Sequence, residues 1–184
     1  MKRVLLFIIL LIPLGYLSFE LFIIEDVKDP IKYIYTVTGA TATVILFTTI
    51  SLSLIKEWIN LIRYRRMFGL FGFFYALLHF LNFFILDAEL DFSFVIKESL
   101  DKPFVYLGMI SLFILIFMAI TSTKKLFRKY NKYHKLIYLA LVLITIHFIM
   151  AQKSLSILQL AYVVTILVIA YCKLLQQIIN KNRS

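Results

Sequence analysis

Cysteine is nearly absent from this chain. Cys172 stands alone among 184 residues, so an internal disulfide is excluded. No C-x-x-C-H run exists either, so any cofactor must be held without a covalent link. Charge is scarce as well, at 16% of residues, and it falls in short clusters between long apolar runs. A soluble domain of this size needs more polar surface than that to cover itself, which excludes a water-soluble fold. No repeat of fixed period and no low-complexity segment interrupts the pattern.

Hydrocarbon is present in abundance. Hydrophobic residues make up 62% of the sequence, and the mean hydropathy is +0.92. Both values are those of a polytopic helical membrane protein. Read against bilayer thickness, the apolar runs predict six spans, at about 4–24, 37–55, 67–86, 104–121, 135–151 and 155–178. The expectation is an all-α six-helix transmembrane bundle forming one domain over residues 1–184. The first run follows "MKR" but is long and lacks a small-residue cleavage site, so it reads as a retained helix. Pro13 within it is tolerable because neighbouring helices can satisfy the freed carbonyl.

The net charge of +10 does not point to nucleic acid, because the basic residues flank the membrane, where topology and anionic lipid account for them. The N-terminus, the 56–66 and 121–135 segments and the C-terminal end hold fifteen of the twenty Lys and Arg residues. The three intervening loops hold eight of the ten acidic residues. The positive-inside rule therefore predicts both termini in the cytoplasm and the loop "DAELDFSFVIKESLDKP" (87–103) outside.

Only three histidines occur. His79 lies inside "FGLFGFFYALLHFLNFFIL" (68–86), thirteen residues after Arg66, or roughly 19–20 Å along a helix. His147 lies twelve residues after Lys135, roughly 18 Å along its own helix. Both helices run the same way, so the two imidazoles are expected at one level, in the outer half of a hydrocarbon core of ~30 Å. A lone membrane histidine often only hydrogen-bonds to a neighbour. Two at matched depth, with no other strongly polar group near, point to a shared ligand. Zinc would want four protein donors, whereas haem brings four nitrogens and asks the protein only for axial ligands. The reading is haem iron held by His79 and His147.

His134 precedes His147 by thirteen residues, about 220° out of phase on a straight helix. Its candidate roles are a second haem, a flavin or quinone contact, or a place among lipid headgroups. Arg65 and Arg66, in "RYRR", are candidate contacts for propionates or a flavin phosphate beside their ordinary role as topology anchors. Glu20 sits near the outer end of the first span. Gly72, on the His79 face one heptad below it, would admit either a flat macrocycle or a close helix.

The segments "DPIKYIYTVTG" (29–39), "RRMFGLFGFFYALLHF" (65–80), "KPFVYLGMISLFILIFMAITST" (102–123) and "KYNKYHKLIYLALVLITIHF" (129–148) together resemble the haem-binding membrane subunit of the periplasmic protein-methionine-sulfoxide reductase system. This is the MsrQ or YedZ family of the wider ferric-reductase-like transmembrane group. The chain departs from the family pattern in three places. Leu52-Ser53 replaces Thr-Pro, Lys102-Pro103 replaces Arg-Pro, and Tyr130 and Tyr133 replace Trp and Leu. The resemblance implies a bacterial inner-membrane electron-transfer subunit carrying haem b and associated with FMN. It further implies electrons arriving from the quinone pool or a cytoplasmic flavin reductase. They would leave to a periplasmic molybdopterin enzyme that reduces methionine sulfoxide, so the subunit would not itself be the catalytic one. The rival expectations are a ferric-reductase-type cytochrome b with a separate flavoprotein partner, and a small transporter relaying protons through its histidines.

Overall fold

The computed structural model describes residues 2–24, 27–52, 61–152 and 157–182, and every regular element among them is helical. In chain order these are α1 (Lys2–Phe19), α2 (Pro30–Ser51), α3 (Arg65–Asn82), α4 (Phe92–Asp101), α5 (Pro103–Ile120), α6 (Lys124–Tyr130), α7 (Leu136–Ala151) and α8 (Ile157–Asn182). Wider π turns extend α1 over Glu20–Ile24 and α3 over Phe83–Asp87. Tight 3₁₀ turns lead into α3 (Ile62–Tyr64) and α7 (Asn131–Lys135).

Five stretches among the described residues are long and apolar enough to cross a membrane: Lys2–Ile24, Pro30–Ser51, Arg65–Asp87, Pro103–Ile120 and Lys124–Ala151. The sixth expected span corresponds to α8, whose apolar part, Gln159–Cys172, is shorter. At 1.5 Å per residue that part reaches about 21 Å, against ~30 Å of hydrocarbon. The five crossing stretches alone make this a multi-pass membrane protein. Residues 53–55 and 155–156 of the expected second and sixth spans lie outside the described residues.

Local chemistry moves two boundaries away from those hydropathy suggests. α2 begins at Pro30 rather than near 37 because Asp29 Oδ1 accepts the Lys32 N–H at 3.0 Å. Pro30 at the first helical position needs no donor partner, so cap and proline together start the helix early. The acidic loop 87–103 is largely helical. Asp91 Oδ1 caps α4 through the Ser93 N–H at 2.8 Å, and Glu98 pairs with Lys102 at 2.6 Å. Pro103 then holds Lys102 extended (φ −115°, ψ 104°) and so divides α4 from α5. The turn between Asp87 and Asp91 places Glu89 (φ 46°) and Leu90 (φ 66°) in the left-handed region.

Packing is strongest in two pairs, α2 with α3 and α5 with α7. One apolar core joins Leu46, Phe47 and Ile50 of α2 to Leu115, Ile137, Ala140, Leu141 and Ile166. Another joins Leu10 of α1 to Ala42, Ile45, Phe68 and Tyr75. Gly72 belongs to the close-helix alternative, since a methyl group there would lie 2.6 Å from Leu46 Cδ2. Buried hydroxyls of Thr38, Thr43, Thr49, Ser111 and Thr121 bond back to carbonyls one turn earlier. That satisfies them where no water reaches.

α1 is tethered by one phenol. Tyr75 is fully buried. Its hydroxyl donates to the Leu10 carbonyl at 2.8 Å and accepts the Leu14 N–H at 3.2 Å. Those two groups are i, i+4 backbone partners within α1, and they bracket Pro13.

Candidate haem-binding site

His79 on α3 and His147 on α7 come together, with ring centres 6.2 Å apart and planes at 88°. Each ring is set by the helix its own helix packs on. His79 Nδ1 lies 3.2 Å from the Tyr35 carbonyl and 3.3 Å from Thr38 Oγ1. His147 Nδ1 lies 2.6 Å from the Phe104 carbonyl. A carbonyl can only accept, so both rings carry their proton on Nδ1. Among the described residues every hydrogen bond these imidazoles make uses Nδ1, which leaves Nε2 of each ring with a lone pair to offer.

A glycine faces each ring. A Cβ at Gly39 would stand 2.9 Å from His79 Cε1, and one at Gly108 would stand 3.1 Å from His147 Cε1. Gly39 follows Tyr35 by one turn and Gly108 follows Phe104 by one turn, so carbonyl and glycine form the same notch twice. The aromatic side chains of these turns also repeat: Tyr35 meets His79 at 5.2 Å and Phe104 meets His147 at 6.0 Å, centre to centre. Hydropathy and histidine depth do not reveal these residues. The signal that could have found them is the aromatic-x-x-x-Gly spacing shared by "YTVTG" and "FVYLG".

This donor set suits haem better than a bare ion. Among the described residues no three His, Cys, Asp or Glu side chains gather for a metal, and a zinc site wants four such donors. Two imidazoles each about 2 Å from one metal have ring centres about 6 Å apart once the rings' own radii are added. The observed separation is that one.

The other sequence candidates lie elsewhere. His134 occupies the 3₁₀ turn before α7, so the straight-helix phase argument does not describe its relation to His147. Its Nε2 is 3.1 Å from Thr121 Oγ1 at the end of α5, and its ring meets Phe127 edge-on at 4.7 Å. Arg65, exposed at the start of α3, is close enough to His134 to act on its charge. Arg66 is exposed beside it. Glu20 and Tyr33 both lie beside Tyr16. Tyr35 donates its hydroxyl to Asp87, tying the His79 notch to the far end of α3. A cavity of about 500 Å³ lined by Lys2, Leu5, Arg63 and Tyr64 touches neither His79 nor His147.

Apolar helices long enough to cross a membrane, with two imidazoles converging from separate helices, define a multi-pass membrane protein with a paired-histidine site. The profile of the family described as "Ferric reductase like transmembrane component" matches residues 42–146, which include His79 and His134 and stop one residue before His147. The chain belongs to this ferric-reductase-like transmembrane family. It is 39% identical over 132 residues to the proteins named "Protein-methionine-sulfoxide reductase heme-binding subunit MsrQ" from Brucella ovis, Brucella canis and Brucella anthropi. Each alignment covers 68% of this chain and 60% of the relative, so the chain spans about three-fifths of the length of these relatives. No solved structure matches the chain.

Proposed function

We propose that this protein is a membrane electron-transfer subunit whose His79 and His147 are the axial ligands of a b-type haem. The observation that carries the reading is the pair of rings at 6.2 Å, both with Nδ1 committed to a backbone carbonyl. Neutral Nε2 donors are thereby presented without any rearrangement of protons. Haem held there supplies one-electron chemistry, and the protein sets its position and surroundings. α2, α3, α5 and α7 exclude water from the two rings, and Tyr35 and Phe104 hold the ring tautomers.

The chain takes electrons from the quinone pool or a cytoplasmic flavin reductase and passes them to a periplasmic molybdopterin enzyme that repairs methionine sulfoxide. The names of the Brucella relatives support a protein-methionine-sulfoxide reductase as the acceptor, and the charge pattern supports a six-span, N-in/C-in arrangement in the bacterial inner membrane. His134, with Arg65 near it and Arg66 next in the chain, serves a second haem, FMN or quinone on the donor side. The family description favours a second reading, a ferric-reductase-type cytochrome b served by a separate flavoprotein.

An absorption spectrum of the purified protein tests the site. A Soret band with sharp α and β bands on reduction is expected, and it should be lost in His79→Ala and in His147→Ala. Retention of the bands in both variants ends the assignment. Reoxidation by the molybdenum enzyme but not by ferric chelates separates the first reading from the second. Impermeant thiol labelling of Glu89→Cys in a Cys172→Ser background checks the orientation, since that position should react from outside.

A further inference from the structure

We propose that Thr38, Gly39 and Gly108 are positioning residues for the two imidazoles, and that Thr38 makes the His79 ring a richer donor than its backbone acceptor alone would. This rests on the haem reading above. The two notches match in their carbonyl and their glycine but differ one residue before the glycine, where α2 carries Thr38 and α5 carries Leu107. Thr38 is buried at 1% exposure. Its single hydroxyl proton goes to the Ile34 carbonyl at 2.6 Å, so its oxygen can only accept from His79 Nδ1–H, 3.3 Å away.

The His79 proton is therefore shared between two acceptors at 3.2 and 3.3 Å, whereas the His147 proton goes to one acceptor at 2.6 Å. The acceptors behind a ligating imidazole govern how electron-rich its metal-facing nitrogen is, and so they tune the metal. Removing the Thr38 oxygen leaves His79 a poorer donor. The oxidised iron is then less favoured and the midpoint potential rises. Giving Leu107 a hydroxyl should have the opposite effect.

The glycines act by clearance. An alanine at 39 would place its Cβ 2.9 Å from His79 Cε1, which forces the ring to move. An alanine at 108 would stand 3.1 Å from His147 Cε1 and asks for a shift of only a few tenths of an ångström. The two variants should thus rank, with Gly39→Ala the worse.

The test uses the full chain in detergent, checked for monodispersity. Redox titration should show a raised potential in Thr38→Val, a wild-type potential in Thr38→Ser and a lowered one in Leu107→Thr. Haem transfer to an excess of haem-free globin should be about 10–100-fold faster from Gly39→Ala than from wild type, and less accelerated from Gly108→Ala. An unchanged potential in Thr38→Val with a normal spectrum would overturn the tuning role of Thr38. Undiminished haem retention in Gly39→Ala would overturn the positioning role. A wild-type protein without any haem band would instead defeat the functional reading on which both stand.

Discussion

Replacing Tyr75 with phenylalanine removes one oxygen and nothing else, and that oxygen is the polar tether of α1. α1 is mostly lipid-facing, and only Leu10 and Leu17 within it are buried. The Tyr75 hydroxyl makes two bonds to it, at 2.8 and 3.2 Å. Neutral hydrogen bonds contribute about 0.5–1.5 kcal/mol each, and in membrane bundles the average is nearer ~0.6 kcal/mol. The Leu10 carbonyl and Leu14 N–H are i, i+4 partners within α1, so neither is orphaned when the phenol is gone and that penalty is avoided. The expected loss is therefore about 1–2 kcal/mol. It should be read as an earlier unfolding midpoint in mixed-micelle denaturation followed by far-UV circular dichroism, with the haem bands intact. Pro13→Ala restores an N–H at the same turn, and in that background Tyr75→Phe should cost less, by about 0.5 kcal/mol or more. Equal losses in both backgrounds, or no loss in either, would refute the idea that the phenol supports a proline-weakened ladder.

Other perturbations have expected outcomes from the same geometry. Gly72→Ala drives a methyl group to within 2.6 Å of Leu46 Cδ2 and should destabilise the α2–α3 pair by about 1–3 kcal/mol in the same assay. Leu90→Gly relieves a left-handed backbone at φ 66°, and stability should rise by about 1 kcal/mol. The rings of His79 and His147 stand at 88°, so the ferric protein should give a strongly anisotropic low-spin paramagnetic resonance signal rather than the rhombic one of parallel ligand planes.

Helix class and the crossing stretches were legible because a bilayer imposes length and apolarity on every span, and no strand pattern competes. Counting from Arg66 and Lys135 along two helices puts His79 and His147 level, and the fold does bring these rings together. Residues acting through backbone were not. Tyr35 and Phe104 serve through their carbonyls, which carry no side-chain signature, and Gly39 and Gly108 serve through an atom they lack. The early start of α2 was missed because Lys32 interrupts the apolar count while Asp29 and Pro30 carry the start signal. Hydropathy likewise reads the 87–103 segment as a loop, since the alternating charges of α4 conceal a capped helix. For Gly72 the sequence allowed both a flat ligand and a close neighbour, and only the position of Leu46 decides between them.

Each imidazole belongs to a different helical pair, His79 to the partnership of α2 with α3 and His147 to that of α5 with α7. A prosthetic group gripped by both would rivet one half of the molecule to the other across their seam. Its occupancy would add about 4 kcal/mol of cohesion at a thousandfold excess over its dissociation constant. Newly inserted chains still waiting for that rivet would be the ones most open to membrane proteolysis, so the supply of the group would govern how much of the protein survives in the cell.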